Sequence, residues 1–472
     1  MKRKTFLKQT GILGAGVLAS KFSYGLVADS FPVVRVAPAK RHFTSKAVDR
    51  AIAEFSTNVK NKELVWLFEN CFPNTLDTTV FYTENEGVPD TYVITGDIDA
   101  MWLRDSSAQV WPYLQFVNED EPLKKLIKGI IGRQSRCIIK DAYANAFYKD
   151  EQKVSEWKSD RTDMKPGVHE RKWEIDSLCY PIRLAYQYWK KTKDDSPFNA
   201  EWEAGIKRTL TVFREQQRKK DKGPYHFQRE SLYPHDTLSM NGYGFPVNPI
   251  GLICSSFRPS DDATVFPFLI PANFFVVRSL RQAAEIVSAV RKNNTLAIEL
   301  NTLAAEVEAA LQQHAIIDHP QHGKIYAYEV DGFGGRYMMD DSNVPSLLSL
   351  PYLGVLNINS EIYQNTRKFI LSAGNPYFFK GKYAEGVGGP HIGPDMIWPM
   401  AIIMRGLTSS SQKEIKSCIN MLVQTHAGKG FMHESFHKDD PKNFTRSWFA
   451  WANTLFGEFL WKTYKENPHL LV

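Results

Sequence analysis

The 472-residue chain lacks the features that mark several function classes. Its five cysteines, Cys71, Cys137, Cys179, Cys254 and Cys418, are odd in number and scattered, and none belongs to a CxxC pair. Neither a zinc knuckle nor a dithiol redox centre is indicated, and the thiols read as small buried apolar groups. No basic run is interleaved with aromatics, and a net charge of +6 is slight for this length, which argues against a nucleic-acid partner. Beyond the first twenty residues no stretch approaches the ~18 uninterrupted apolar residues of a membrane span, so no membrane partner is expected for the mature chain. There is no linker rich in Gly, Ser or Pro, and no self-similarity at the ~34 to 47 residues of TPR or HEAT arrays.

What is present begins with an unusual N-terminus. Lys2-Arg3-Lys4-Thr5-Phe6-Leu7-Lys8 precedes a short apolar stretch, Ile12 to Ala19. This reads as an export signal of twin-arginine type, with Lys-Arg or Arg-Lys in place of Arg-Arg. Residues 1–29 are assigned to that signal and 30–472 to a single domain, exported and, in a cell with an outer membrane, periplasmic.

Through the rest of the chain apolar residues recur at helical spacing: Ile206, Leu210 and Phe213 share one face, as do Leu296, Leu300, Leu303, Val307 and Leu311. Further helices are expected near 45–69, 105–117, 121–139, 174–192, 272–291, 360–372, 394–407, 411–426 and 446–464, about eleven in all. Alternating strand patterns are few, Lys324 to Val330 being the best. The fold class is therefore all-α dominated. A succession of helices without a short repeat suits a helical toroid, an inner ring within an outer one, with short β elements in its loops.

The aromatic content is high, with 29 Phe, 20 Tyr and 11 Trp, and rings gather with charge in particular stretches. These are "TGDIDAMWLRDSSAQVWPYL" from Thr95, "HERKWEIDSLCYP" from His169, "SSFRPSDDATVFPF" from Ser255, "RYMMDDSNVPSLLSLPYL" from Arg336 and "GFMHESFHKDD" from Gly430. Flat rings cover the apolar faces of a sugar while carboxylates, Arg and Asn bind its hydroxyls, so a saccharide is the ligand this chemistry suits. Each stretch also has a plainer reading. Arg104 and Asp105 suit an ion pair at a helix start, with Asp105 or Ser106 as N-cap, and Ser260 and Asp261 suit another cap. Asp340, Asp341 and Asn343 could bind calcium, but lack the spacing of a calcium-binding hand. His433-Glu434-Ser435-Phe436-His437 formally satisfies HExxH, but Gly430 before it and Pro441 after it oppose the helix that a zinc site needs.

Together "TGDIDAMWLRDSSAQVWPYL", "WEIDSLCYP", "FRPSDDA", "MDDSNVPSLLSLPYLG" and "HESF" resemble the bacterial metal-independent exo-α-1,6-mannosidases of glycoside hydrolase family 125, over nearly all of the mature chain. The resemblance implies an (α/α)6 barrel that releases terminal mannose from an α-1,6-linked oligosaccharide or glycan with inversion, without a metal or cofactor. Carried onto this chain, the general base falls at Glu434 and the general acid in "FRPSDDA", assigned to Asp261 with Asp262 as the alternative. Adjacent side chains usually point apart, so one of the two reaches the glycosidic oxygen. Such an acid must hold its proton near neutrality, with Asp262 and aromatic burial opposing the adjacent Arg258. Inversion further requires the acid and base about 6.5 to 9.5 Å apart. Trp102, Arg104, Asp105, Arg258, Asp262, Asp341, Asn343, His391 and His433 are the candidates for holding the sugar. Two other readings are a calcium-dependent α-mannosidase and a secreted glycan-binding protein without activity.

Overall fold

Helices form where apolar residues recur at three- and four-residue spacing and where a side chain satisfies the first free N–H groups. In the computed structural model, which describes residues 31–472, Ser45 caps α1 (Lys46–Asn58) and Asn61 caps α2 (Lys62–Cys71). The expected run 45–69 is thus two helices, because Asn61 starts a new one by accepting from Glu63 N and Leu64 N. There follow α3 (Asn74–Thr78), α4 (Leu103–Val110), α5 (Glu121–Lys140), α6 (Asp176–Thr192) and α7 (Ala200–Gln216). Then come α8 (Ile270–Ile286), α9 (Asn294–His314), α10 (Glu361–Ile370), α11 (Pro399–Leu407), α12 (Gln412–Thr425) and α13 (Ala450–Glu466). The assigned export signal lies outside the described residues.

Burial separates two layers. Helix α4 is buried at every position, and α6, α8, α11 and α13 are buried on nearly all sides. These pack on one another in order: α4 on α6, α6 on α8, α11 on α13, and α13 back on α4. The largely buried stretch from Val344 to Leu353 lies against this layer. Tyr180 of α6 donates to Val344 O at 2.9 Å and Tyr363 of α10 to Leu348 O at 2.9 Å. Pro345 and Pro351 remove two backbone donors there, so no regular helix forms. Around this layer α5 lies on α7, α9 on α8, α12 on α11, and α2 and α3 on α13.

Apart from hairpins such as Val80–Asn85 with Val88–Val93, several short strands lie at the beginnings of inner helices. Met101–Trp102 leads directly into α4 and pairs with Ala146–Phe147, which pairs with Val168–Glu170. Phe268–Leu269 leads into α8 and pairs with Glu329–Val330. Met396–Ile397 precedes α11 and pairs with Phe436–His437. Two expectations change here. The strand read over Lys324–Val330 divides: Gly323–Tyr326 forms a hairpin with Ile316–His319, while Glu329–Val330 joins another sheet. The helix expected from 394 begins only at Pro399, whose fixed φ suits a first turn. All five cysteines are buried and unpaired. The loops at the helix beginnings face the free N–H ends of α4, α6, α8, α11 and α13, where negative charge is favoured.

Candidate active site

The opening stretch places its charges inside helix α4 rather than at its cap. The helix starts at Leu103 with no side-chain cap, so Asp105 and Ser106 do not serve as one, and Arg104 and Asp105 are buried in its first turn. Arg104 is the hub of four carboxylates. Its Nη1 donates to Glu174 and, at 3.4 Å, to Asp176; Nη2 reaches Asp261 at 3.3 Å; and Nε lies 3.5 Å from Asp105. With so many carboxylates around one guanidinium in a largely buried cluster, burial favours the neutral form of some of them. Burial pushes Glu174 well above the ordinary carboxylate range, Asp176 up to about 6, and Asp105 upward against the pull of Arg104. Glu174 is held by Asn145 at 3.2 Å and Ser177 at 2.9 Å.

Asp261 and Asp262 do point apart, and the backbone does it. Asp261 N donates to Arg258 O at 2.9 Å and Arg258 N to Asp262 O at 2.7 Å, closing a turn in which Asp261 has φ 67°. That left-handed conformation is one Asp tolerates better than most residues. Ser260 and Asp261 therefore cap no helix. The Asp261 side chain is 30% exposed and faces Arg104, whereas that of Asp262 is 1% exposed and accepts from His391 Nδ1 at 2.8 Å. Arg258, expected beside the acid, instead pairs with Glu329 at 2.6 Å. Burial raises Asp261, but Arg104 and Lys172, together with a hydrogen bond from Glu174, outweigh it and hold the carboxyl below its ordinary value. Beside it, burial favours the neutral form of Glu174, so the hydrogen bond between the two runs from Glu174 to Asp261.

On the next loop Asp341 accepts from Ser260 at 3.0 Å and from Asn343 N at 3.1 Å, and Asn343 Nδ2 lies 3.3 Å from it. Asp340 points elsewhere, into the backbone N–H groups of Leu347 and Leu348 at 2.8 and 3.0 Å, and burial pushes it up to about 8. The two acids are thus turned to different partners instead of forming one ligand set, and among the described residues no group of three or more His, Cys, Asp or Glu is placed to hold a metal ion. Burial lowers His391, but Asp262, Glu434 and Asp261 outweigh it and raise the imidazole to about 9.

Glu434 accepts from Thr445 Oγ1 at 2.8 Å and lies 3.5 Å from Arg446. Arg446 also pairs with Asp97 and donates to Thr95 O at 3.0 Å, and Thr95 Oγ1 donates to Asp105 at 2.5 Å. Contacts therefore run without a gap from Glu434 through Arg446, Thr95, Asp105 and Arg104 to Asp261. His433 stacks on Phe444 with ring centroids 4.0 Å apart and turns Nδ1 to Ser447 O at 3.0 Å; burial lowers it to about 4, so its ring is neutral. His437 lies on a strand and accepts from Asp439 N at 3.2 Å, which leaves the HExxH pattern without its helix. Trp102 packs edge-on against His169 at 5.2 Å, with its Nε1 buried and unpartnered. Glu174, Asp176, Lys172, Asp97 and Arg446 complete the set without having been nominated. The first two lie in the acid-rich "WEIDS" but carried no assigned role, and Arg446 in "NFTRSWF" had no pattern to mark it.

Two partly exposed carboxylates on separate loops, joined by a polar network and bordered by rings, form a site suited to glycosidic-bond hydrolysis. Residues 61–461 match the family model for metal-independent alpha-mannosidase, GH125, and the chain belongs to this family of glycoside hydrolases. It is 43% identical over 458 residues to the meiotically up-regulated gene 157 protein of Schizosaccharomyces pombe, covering 93% of this chain and 90% of that protein. Among solved structures, a metal-independent α-mannosidase of Streptococcus pneumoniae, in a non-productive complex with α-1,6-mannobiose, is 40% identical with a TM-score of 0.87, covering 90% of this chain and 100% of that one. A bacterial glucoamylase bound to acarbose shares the fold alone, at 11% identity and a TM-score of 0.55, over 89% of this chain and 59% of its own.

Proposed function

We propose that the protein is an inverting exo-α-1,6-mannosidase that removes terminal mannose from a mannose-containing oligosaccharide or glycan. The observation that carries the reading is the continuous contact path from Glu434 to Asp261, which fixes two carboxylates on separate loops of one site. The α-1,6-mannobiose in the pneumococcal structure supports the choice of linkage. Packing of α4 on α6, α6 on α8, α11 on α13 and α13 back on α4 supports an (α/α)6 toroid. Export to the periplasm, and the division into a signal over 1–29 and one catalytic domain over 30–472, rest on the sequence of the N-terminus.

In this mechanism Glu434, oriented by Thr445 and Arg446, takes a proton from the attacking water. As the bond to the anomeric carbon breaks, a proton passes from Glu174 through their hydrogen bond to Asp261, which hands it to the departing oxygen. Solvent then resets the pair. Asp105, Asp341, Asn343, His391 and Trp102 surround the terminal sugar, with ionic and neutral donors for its hydroxyls. Hydrolysis of α-1,6-mannobiose, assayed with and without EDTA, tests the reading. Mannose release that survives chelation is expected; no hydrolysis at all points to a glycan-binding protein, and calcium-restored activity to a calcium-dependent enzyme.

A further inference from the structure

Lys172 carries a buried ammonium, 3% exposed, on the chain that leads from the strand Val168–Glu170 into α6. Its backbone is held on both sides. Lys172 N donates to Asn145 Oδ1 at 3.1 Å, and the Tyr225 hydroxyl donates to Arg171 O at 2.9 Å while accepting from Trp173 N at 3.0 Å. The ammonium lies 5.1 Å from the centre of the Phe257 ring and donates two hydrogen bonds, to Asp236 Oδ1 at 2.7 Å and to Asp261 O at 2.9 Å. A charge taken out of water needs such partners, so losing either contact is costly.

Asp236 belongs to a helical turn, Pro234–Asp236, in the connection between α7 and α8. Arg229 meets it at 3.4 Å and is itself paired with Asp160 at 2.6 Å. The neighbouring His235 O accepts from Ala263 N at 2.7 Å. The peptide groups on both sides of Asp262 are therefore gripped from outside their own loop, one through Asp261 O and the other through Ala263 N.

Those peptide groups decide where the two acids point. Asp261 has φ 67°, a region less stable for an L-residue than its usual conformations, so the surroundings have to hold it there. Turning the peptide between Asp261 and Asp262 would break the bond to Lys172 and re-aim both carboxyls, away from Arg104 and from His391. We infer that Lys172 is a positioning residue for the general acid, acting through the Asp261 carbonyl and braced by Asp236. The inference rests on the proposed role of Asp261 as acid.

The test is a double-mutant cycle read on two substrates, α-1,6-mannobiose and an activated aryl α-mannoside whose leaving group departs without a proton. Lys172→Met is expected to lower kcat/KM on mannobiose by about tenfold or more relative to its loss on the aryl mannoside, within the scale of a displaced catalytic group. Loss of the cation alone would let Asp261 keep a proton more readily, so the fall reports position rather than charge. In an Asp261→Asn background the same substitution is expected to cost mannobiose hydrolysis little further, because no acid is left to misplace. Asp236→Ala, at a side chain that is 26% exposed, is expected to give the same pattern more weakly, and it carries the test if Lys172→Met does not fold. Equal losses on both substrates, or a full additional loss in the Asp261→Asn background, would overturn the positioning role while leaving the mannosidase reading intact. An Asp261→Asn variant equally slowed on both substrates would instead overturn Asp261 as the acid, and the inference with it.

Discussion

His391 Nδ1 lies 2.8 Å from Asp262 Oδ1, and this contact separates the duties of two adjacent acids. Asp262 is buried against a cationic imidazole, whereas Asp261, turned the other way by its left-handed backbone, faces Arg104 and the open basin. Only the second is placed to meet an incoming oxygen. The first holds the ring that stands between it and Glu434 electrostatically.

This division predicts different substrate dependences. A general acid matters when the departing oxygen needs a proton, so Asp261→Asn should be crippled on α-1,6-mannobiose but relatively less so on an activated aryl mannoside, whose phenolate leaves unaided. Asp262→Asn should lose activity on both substrates by similar factors. Finding the leaving-group dependence at Asp262 instead would exchange the two roles.

Among the described residues Glu434 accepts a hydrogen bond from Thr445 and pairs with Arg446, and no second carboxylate shares these contacts. Glu434→Gln should therefore reduce kcat by at least ~10²-fold, the usual scale for a lost general base. The fold should survive, since Gln can still accept from Thr445. Near-wild-type turnover in this variant would remove Glu434 from the mechanism.

The hydrogen bond between Glu174 and Asp261 makes their proton a property of the pair. In Glu174→Gln the store is gone and Asp261 remains between Arg104 and Lys172, which favour its ionised form. The alkaline limb of kcat/KM on mannobiose should move to lower pH, and the loss should shrink on an activated aryl mannoside. A pH profile of unchanged shape would reduce Glu174 to a structural partner of Arg104.

His391 also links the site to stability. Its folded pKa of about 9 lies above the ordinary imidazole value of 6.5, so the folded state binds the extra proton between those values. Its contribution is complete below pH 6.5 and is lost as pH rises to about 9, with a slope from this one group of at most about 1.4 kcal/mol per pH unit. Urea unfolding at pH 6, 8 and 10 should show this decline in the wild-type chain and a shallower one in His391→Asn. Parallel declines would mean that His391 is not the group responsible.

Much of this was legible in the sequence because periodicity and capping are local. The helices expected over 121–139, 174–192 and 411–426 differ from those observed by a residue or two at their ends. The place of the stretch from Val344 to Leu353 was not legible, because two prolines erase its helical signature and only tertiary contacts from Tyr180 and Tyr363 fix it. The site followed the same rule. Charged and aromatic runs identified its loops, but the partner of each charge did not follow from neighbourhood in the chain. Arg258 sits three residues before Asp261 and pairs with Glu329, while Arg104, far upstream, supplies the cation that Asp261 meets. Arg446 is a lone arginine in sequence and becomes a link to Glu434 only once the chain has folded.

Stereochemistry tests the two carboxylate roles together. If Glu434 delivers water to the face opposite the leaving group while Asp261 protonates the departing oxygen, hydrolysis is a single displacement, and an α-mannoside gives β-mannose first. Following the anomeric proton by NMR during the first minutes, before mutarotation, should show the β signal rising ahead of the α signal. No glycosyl-enzyme intermediate should be trapped by a fluorinated mannoside under the same conditions. Initial α-mannose would require a double displacement, with one carboxylate attacking carbon and the pair only about 5 to 5.5 Å apart. Glu434 would then be a nucleophile rather than a base, and the contact path through Arg446 and Thr95 would have to be read as a clamp on a covalent intermediate instead of a support for bound water.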